Sequence, residues 1–237
     1  MSDLFPLHVT GAITRRRSTP LVGPVDLTLE GHGICVVLGP NGAGKTSLLR
    51  MLHGIARLHA GQIRWACAAQ TAQNQQAFVF QNPVMLRRSV LDNLTYPLTI
   101  KGMPVSAARM QAQAWAKQAG LGGLLEQQAP SLSGGEQQKL ALCRALISAP
   151  KLIFMDEPSA SLDGRATRDI EQILIDTRAK GTQILMSTHD MGQARRLADY
   201  VIFMRGGLVH ETGPALTFFN TPQTPEARAF LNGDIVE

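Results

Sequence analysis

The chain has 237 residues, a formal net charge of +5 and 44% apolar residues. That suits one sizeable domain with its own core, and no apolar run approaches the roughly 18 to 20 residues that a membrane-spanning helix needs. Cys35, Cys67 and Cys143 are odd in number, widely spaced and without nearby histidine pairs, so neither a disulfide framework nor a zinc site is indicated and all three read as buried small apolar residues.

The opening Met-Ser-Asp-Leu-Phe-Pro lacks the basic start and apolar run of a secretory signal, which predicts a cytoplasmic protein. Residues 7–29 alternate apolar and polar positions in short runs broken by Pro20, Gly23 and Pro24, a pattern for short antiparallel strands and turns. Gly31-His32-Gly33 then turns the chain into an apolar strand from Ile34 to Leu38. That strand delivers Gly39-Pro40-Asn41-Gly42-Ala43-Gly44-Lys45-Thr46, and a helical pattern runs from Ser47 to Gly54. Strand, small-residue loop, helix is the context in which backbone N–H groups curl around phosphate oxygens and the positive end of a helix adds to the attraction. In such a loop Lys45 reaches the β- and γ-phosphates and the Thr46 hydroxyl ligates Mg²⁺, so the chain reads as a nucleoside-triphosphate binder.

Gln62 to Trp65 is strand-like, and the polar stretch Gln70 to Gln76 is expected as a surface loop. Ala77 to Phe80 is a second buried strand ending on Gln81, whose amide at a strand tip can reach Mg²⁺ or an attacking water. From Asn82 to about Pro130 helical signals take over, at Ser89–Asn93, Ser106–Ala119 and Leu121–Gln128, with breaks at Gly102 and Gly120. Met103, Met110 and Trp115 are expected in the core of that helical lobe. Leu132-Ser133-Gly134-Gly135-Glu136 opens an amphipathic helix through Ile147, and its hydroxyl and bare N–H groups form a second anion site, suited to a nucleotide held by another subunit.

The apolar strand Leu152 to Met155 ends in Asp156-Glu157. The first carboxylate can hold Mg²⁺ through water, while the second, on the other side of the pleat, can orient an attacking water. Ser161-Leu162-Asp163-Gly164 reads as a turn, Arg165 to Arg178 as a helix, and Ile184 to Thr188 as a strand with His189 at its end. A helix at Gly192–Ala198, strands at Val201–Met204 and Leu208–Glu211, and a helix at Pro225–Leu231 complete the chain. The basic clusters, Arg15-Arg16-Arg17, Arg87-Arg88 and Arg195-Arg196, have no interleaved aromatics to stack bases, so they are read as solvated faces and no nucleic acid is expected.

In this order and at these spacings, the phosphate loop, Gln81, Leu132 to Glu136, Asp156-Glu157, Ser161 to Asp163 and His189 resemble the nucleotide-binding subunit of ATP-binding cassette (ABC) transporters over nearly the whole chain. The resemblance implies an α/β phosphate-loop NTPase with a mostly parallel central sheet, a small N-terminal antiparallel β subdomain and an inserted α-helical lobe. Residues 1–237 would form one ABC ATPase domain, with 1–81 and 151–237 as catalytic core and 82–150 as helical lobe and signature helix. Carried over, Gly39, Pro40, Asn41, Gly42, Ala43, Gly44, Lys45, Thr46 and Ser47 bind ATP as Walker A, and Ser133, Gly134 and Gly135 belong to the signature. Glu157 becomes the general base, with Gln81 and His189 as its catalytic companions. Thr46, Gln81 and Asp156 hold Mg²⁺, and Asp163 is the D-loop aspartate at the nucleotide. Where the family usually stacks an aromatic on adenine, this sequence has Arg16, whose guanidinium plane can stack in its stead.

Two such cassettes close head to tail, each ATP lying between one copy's Walker A and the other's signature. Val79 to Val90, with Asn93 and Tyr96-Pro97-Leu98, is similar to cassettes of bacterial oxyanion importers, particularly the tungstate type. The resemblance therefore implies an ATP-hydrolysing importer subunit for a small tungstate- or molybdate-like anion. It would act as a homodimer held at the inner face of the cell membrane by integral permease subunits and fed indirectly by an extracytoplasmic substrate-binding protein. The residues after His189 suffice for the last strands and a helix but not for a regulatory C-terminal domain. The alternative is a soluble ABC ATPase acting in iron–sulfur assembly or on nucleic acid or ribosomes. Against it, the sequence has neither the long coiled-coil insertion of the repair members nor the paired cassettes of the translation-associated ones.

Overall fold

The computed structural model describes residues 4–31, 33–160 and 162–234. Strands Leu7–Arg16 (β1) and Thr19–Leu29 (β2) pair antiparallel, with Leu7 opposite Leu29 and Val9 opposite Leu27. Their alternation places Leu7, Val9, Leu27 and Leu29 on the buried face. The buried strand Ile34–Leu38 (β3) and helix Lys45–His53 (α1) follow, and Ala60–Arg64 (β4) then joins the other side of β1 to complete a three-stranded antiparallel sheet in the order β2-β1-β4.

The remaining elements, in chain order, are helix Ala69–Asn74 (α2), strand Gln76–Val79 (β5), helices Val90–Ile100 (α3), Val105–Gln118 (α4) and Gly134–Leu146 (α5), strand Leu152–Asp156 (β6), helix Gly164–Ala179 (α6), strand Gln183–Ser187 (β7), helix Met191–Leu197 (α7), strands Tyr200–Arg205 (β8) and Leu208–Pro214 (β9), and helices Ala215–Asn220 (α8) and Pro225–Asn232 (α9). Among the described residues the large sheet has six strands in the order β5-β6-β7-β3-β8-β9, and only β9 runs antiparallel to its neighbour. The near-continuous apolar runs of β3 and β6 follow from burial on both faces. Cys35 and Val37 face a cluster with Leu48, Leu49 and Leu52 of α1 and with the small sheet. Ile34, Val36 and Leu38 face the opposite way, toward Leu142 and Leu146 of α5, Ile170 and Leu174 of α6, and Phe218 of α8. Because β3, β6 and β7 are parallel, their C-terminal ends lie on one edge, and the loops that follow them gather there.

Helices α3, α4 and α5 enclose a separate cluster in which Ala108, Ala112 and Ala116, spaced four apart and fully buried, line the face of α4 toward Leu94 and Leu140. Buried Asn93 ties the chain ahead of α3 in place: its amide nitrogen donates to the carbonyls of Leu86, Arg88 and Ser89, and its oxygen accepts from Leu86 N–H at 3.1 Å and the Arg144 guanidinium at 3.0 Å.

The α/β class, the mostly parallel sheet, the small antiparallel sheet and the helices between β5 and β6 agree with expectation, while several local readings do not. Gln70–Gln76 is not a loop, because α2 needs only Ala72 as its buried anchor and Ala and Gln are good helix formers. Leu121–Gln128 is not a helix. Adjacent Gly122 and Gly123, each costing about 1 kcal/mol in a helix interior, leave short 3-10 turns at Gly122–Leu124 and Ala129–Ser131. α3 runs on to Ile100, β5 stops at Val79 before a 38% exposed Phe80, and α8 is an element that the sequence pattern does not announce. Met110 lies outside the core at 67% exposure, since α4 turns its alanine face inward. Cys35 and Cys143 are buried, burial pushing the Cys143 thiol up to about 12, but Cys67 is only half-buried. His32 of the expected turn before β3, Ser161 of the expected turn before α6, and the opening Met1–Asp3 lie outside the described residues.

Candidate functional site

The phosphate-loop sequence turns between β3 and α1 on backbone that side chains resist. Gly39 has φ 149° and a Cβ there would strike the Met204 carbonyl; Gly44 has φ 97° and a Cβ would lie 2.7 Å from Val22 of the small sheet. The loop is therefore wedged between β8 and β2. Leu21, Asn41, Gly42, Ala43, Gly44, Lys45, Thr46, Ser47 and Glu157 line a pocket of about 260 Å³ beside it. Lys45 is 7% exposed, and its amine donates to the carbonyls of Gly39 at 2.9 Å and Pro40 at 3.1 Å. Burial pulls its pKa below the ordinary lysine value, while the charges of Glu157 and Asp156 oppose the shift.

Opposite the loop, buried Asp156 ends β6. Its Oδ1 accepts from the Thr46 hydroxyl at 2.8 Å and from the Ser187 hydroxyl at 2.9 Å. The next residue, Glu157, has left the strand with φ 46°. Its N–H donates to both oxygens of Ser187, at 3.1 Å to the hydroxyl and 3.2 Å to the carbonyl. Its Oε2 lies 3.0 Å from His189 Nδ1 and 3.5 Å from Gln81 Nε2. Lys45, Thr46, Gln81, Asp156, Glu157 and His189, from four stretches far apart in sequence, thus meet at one sheet edge. Ser187 belongs with them, although no motif in the sequence marks it; the signal for it is its register, directly opposite Asp156 on the neighbouring strand.

Ser133, Gly134, Gly135 and Asp163 stand elsewhere, in a groove shared with Lys139, Arg165 and Asp169 that has no lining residue in common with the phosphate-loop pocket. Ser133 caps α5: its hydroxyl donates to Glu136 Oε2 at 2.6 Å, its N–H donates to the same oxygen at 2.8 Å, and Glu136 N–H returns a bond to the hydroxyl. Those bonds, the hydroxyl's first, hold the Glu136 carboxyl below the usual range. Asp163 caps α6, accepting from Ala166 N–H at 2.8 Å and Arg165 N–H at 2.9 Å, and these bonds likewise lower its pKa. Arg16 lies at the exposed end of β1 opposite Thr19 and does not line the pocket. The Thr46 hydroxyl and the Asp156 carboxylate, in contact at 2.8 Å, are hard oxygen donors of the kind that suits Mg²⁺, and one carboxylate fits an ion that keeps several waters and takes its remaining ligands from phosphate.

A glycine-lined loop closing onto a helix, with a buried lysine at its mouth and two successive carboxylates where β6 ends, defines a phosphate-loop nucleoside triphosphatase. Residues 22–160 match the family model described as ABC transporter, more than half of the chain, and the protein belongs to that family and is an ATPase. Over 187 residues it is 37% identical to the tungstate uptake system ATP-binding protein of Peptoclostridium acidaminophilum, covering 78% of this chain and 87% of the relative. The methionine import ATP-binding protein of Cereibacter sphaeroides is 34% identical over 239 residues, covering 95% of this chain and 68% of that one. The solved structure of cbiO1 from Clostridium perfringens, described as part of an ABC transporter complex, superposes with a TM-score of 0.80 over 96% of this chain and 95% of its own, at 22% identity, a likeness of fold. No helix among the described residues is long and apolar enough to cross a membrane.

Proposed function

We propose that this chain is the ATP-hydrolysing subunit of an importer for a small oxyanion of the tungstate or molybdate type. It works as a homodimer of cassettes seated on integral membrane permease subunits at the cytoplasmic face, with an extracytoplasmic binding protein presenting the anion. Residues 1–237 act as one ABC ATPase domain, the core from 1–81 and 151–237 and the helical lobe and signature helix from 82–150. The observation that carries the ATPase chemistry is the meeting of Lys45, Thr46, Asp156, Glu157 and His189 at one sheet edge. The cargo class rests on the 37% identity to a tungstate uptake protein, set beside the 34% identity to a methionine importer.

On this reading, residues 39–47 hold the phosphates of ATP, with Lys45 exchanging its two carbonyl partners for phosphate oxygens. Thr46, Asp156 and Gln81 would hold Mg²⁺, which when bound would neutralise phosphate charge. Glu157 accepts the proton of the water that attacks the γ-phosphorus as ADP leaves, and His189, in contact with that carboxylate, keeps it aimed. The second groove, with Ser133, Gly134, Gly135 and Asp163, serves the nucleotide of the facing copy. It shares no lining residue with the phosphate-loop pocket, which supports that division of labour.

The test uses Glu157→Gln as a tagged bait in the native host with Mg-ATP present. An integral membrane permease is expected to co-purify, and tungstate, molybdate and phosphate uptake are then compared. Recovery of ribosomes, DNA or iron–sulfur assembly proteins without a membrane partner would overturn the importer reading. Arg16 is proposed to stack on adenine. Arg16→Ala is then expected to weaken ATP by about 0.5 to 1 kcal/mol, a few-fold in Kd, while leaving inorganic triphosphate affinity unchanged. Equal ATP affinity in the two proteins would remove that role.

A further inference from the structure

Behind the site lies a polar chain that the ATPase chemistry does not itself use. Gln193, in α7, is fully buried. Its Nε2 donates to Glu171 Oε1 of α6 at 3.3 Å, its Oε1 accepts from the Ser159 hydroxyl at 3.0 Å, and its N–H donates to Asp190 Oδ1 at 2.9 Å. Arg196 closes the far end, gripping both Glu171 oxygens at 2.7 and 3.0 Å. An ionised carboxylate only accepts, so Glu171 fixes the face of the amide, and the amide oxygen in turn obliges Ser159 to donate.

The ends of this chain matter. Ser159 sits in the turn that begins at Glu157, closed by Ala160 N–H on the Glu157 carbonyl at 3.1 Å. Asp190, the cap of α7, directly follows His189. α6, which carries Glu171, starts at the Asp163 cap in the second groove. A single buried amide therefore joins the loop of Glu157, the helix behind His189 and the helix behind Asp163.

We propose that Gln193 is a positioning residue for hydrolysis, holding Glu157 and His189 at their 3.0 Å contact and tying that pair to α6. The inference rests on reading Glu157 as the general base. It predicts that the links act on turnover and not on nucleotide capture, because among the described residues the hydrogen bonds of the Gln193 side chain run to Ser159 and Glu171, neither of which lines the phosphate-loop pocket.

The experiment measures kcat and KM for Mg-ATP, with thermal melts, on the full chain carrying Gln193→Leu, Ser159→Ala or both. Gln193→Leu is expected to lower kcat about tenfold and Ser159→Ala several-fold, with KM within about twofold and the double variant no worse than Gln193→Leu. A folded Gln193→Leu protein that melts earlier yet turns over at the wild-type rate would reduce Gln193 to a packing residue. A KM that rises in step with the fall in kcat/KM would also overturn the proposal. Should Gln193→Leu fail to fold, Ser159→Ala, which leaves the Gln193–Glu171 bond intact, decides alone. Glu157→Gln in the same assay separates the two ideas: full activity there refutes the base assignment, whereas an inactive Glu157→Gln beside a fully active Gln193→Leu refutes only the positioning role.

Discussion

Replacing Lys45 by alanine is expected to weaken ATP binding by about 100-fold or more, roughly 2.7 kcal/mol, and to remove turnover with it. The amine is buried at the mouth of the loop, and the charges nearest it are the carboxylates of Asp156 and Glu157. With the ammonium gone, an anionic ligand would face two carboxylates beside a partly buried loop, where charges interact more strongly than in water. The same change strips the Gly39 and Pro40 carbonyls of their side-chain donor, so the free loop loses a brace as well. Equilibrium titration with a fluorescent ATP analogue reads the effect. An affinity within a few-fold of wild type would mean that backbone N–H groups alone hold the phosphates, and that the lysine is a brace for the loop and nothing more.

Glu157→Gln is expected to divide binding from chemistry. The amide fills the space of the carboxylate and can still meet His189 Nδ1 and Gln81, so ATP affinity should stay within about threefold. It cannot take a proton, and loss of a general base costs about 100- to 10,000-fold in rate. Single-turnover hydrolysis beside a binding isotherm checks both halves. Substantial turnover by the amide variant would move the base to another group, with His189 the nearest candidate at 3.0 Å.

What could be read from sequence was local. Gly39 to Thr46 announces itself because positive-φ glycines, a lysine and a hydroxyl must fall within a few residues, and Asp156-Glu157 because a short apolar strand ends abruptly in charge. The α/β class is legible in apolar runs that alternate with helical periodicity. Long-range pairing was out of reach: nothing in Ile184 to Ser187 states that it lies between β6 and β3, and Ser187 matters only through that register. Gln193 is invisible for the same reason, as its partners stand 22 and 34 positions away. The Gln-rich α2 misleads because polarity argues for a loop while propensity argues for a helix, and one buried alanine is enough to decide the contest. Arg16 is picked out by its spacing from Lys45 alone, and the structure leaves it at the exposed end of β1, outside the lining of the phosphate-loop pocket.

The left-handed backbone of Glu157 carries an evolutionary consequence. A non-glycine residue held at φ 46° costs on the order of 1 to 2 kcal/mol, and here that residue also precedes Pro158. Glycine would rest there without strain, so a lineage selected for heat tolerance alone would drift toward it and lose the carboxylate. With Glu157 read as the general base, that tendency runs against function at just this position. A thermostable descendant of this chain should therefore gather its gains elsewhere, in the alanine-lined helices or the small sheet, and leave Glu157 in its uncomfortable geometry.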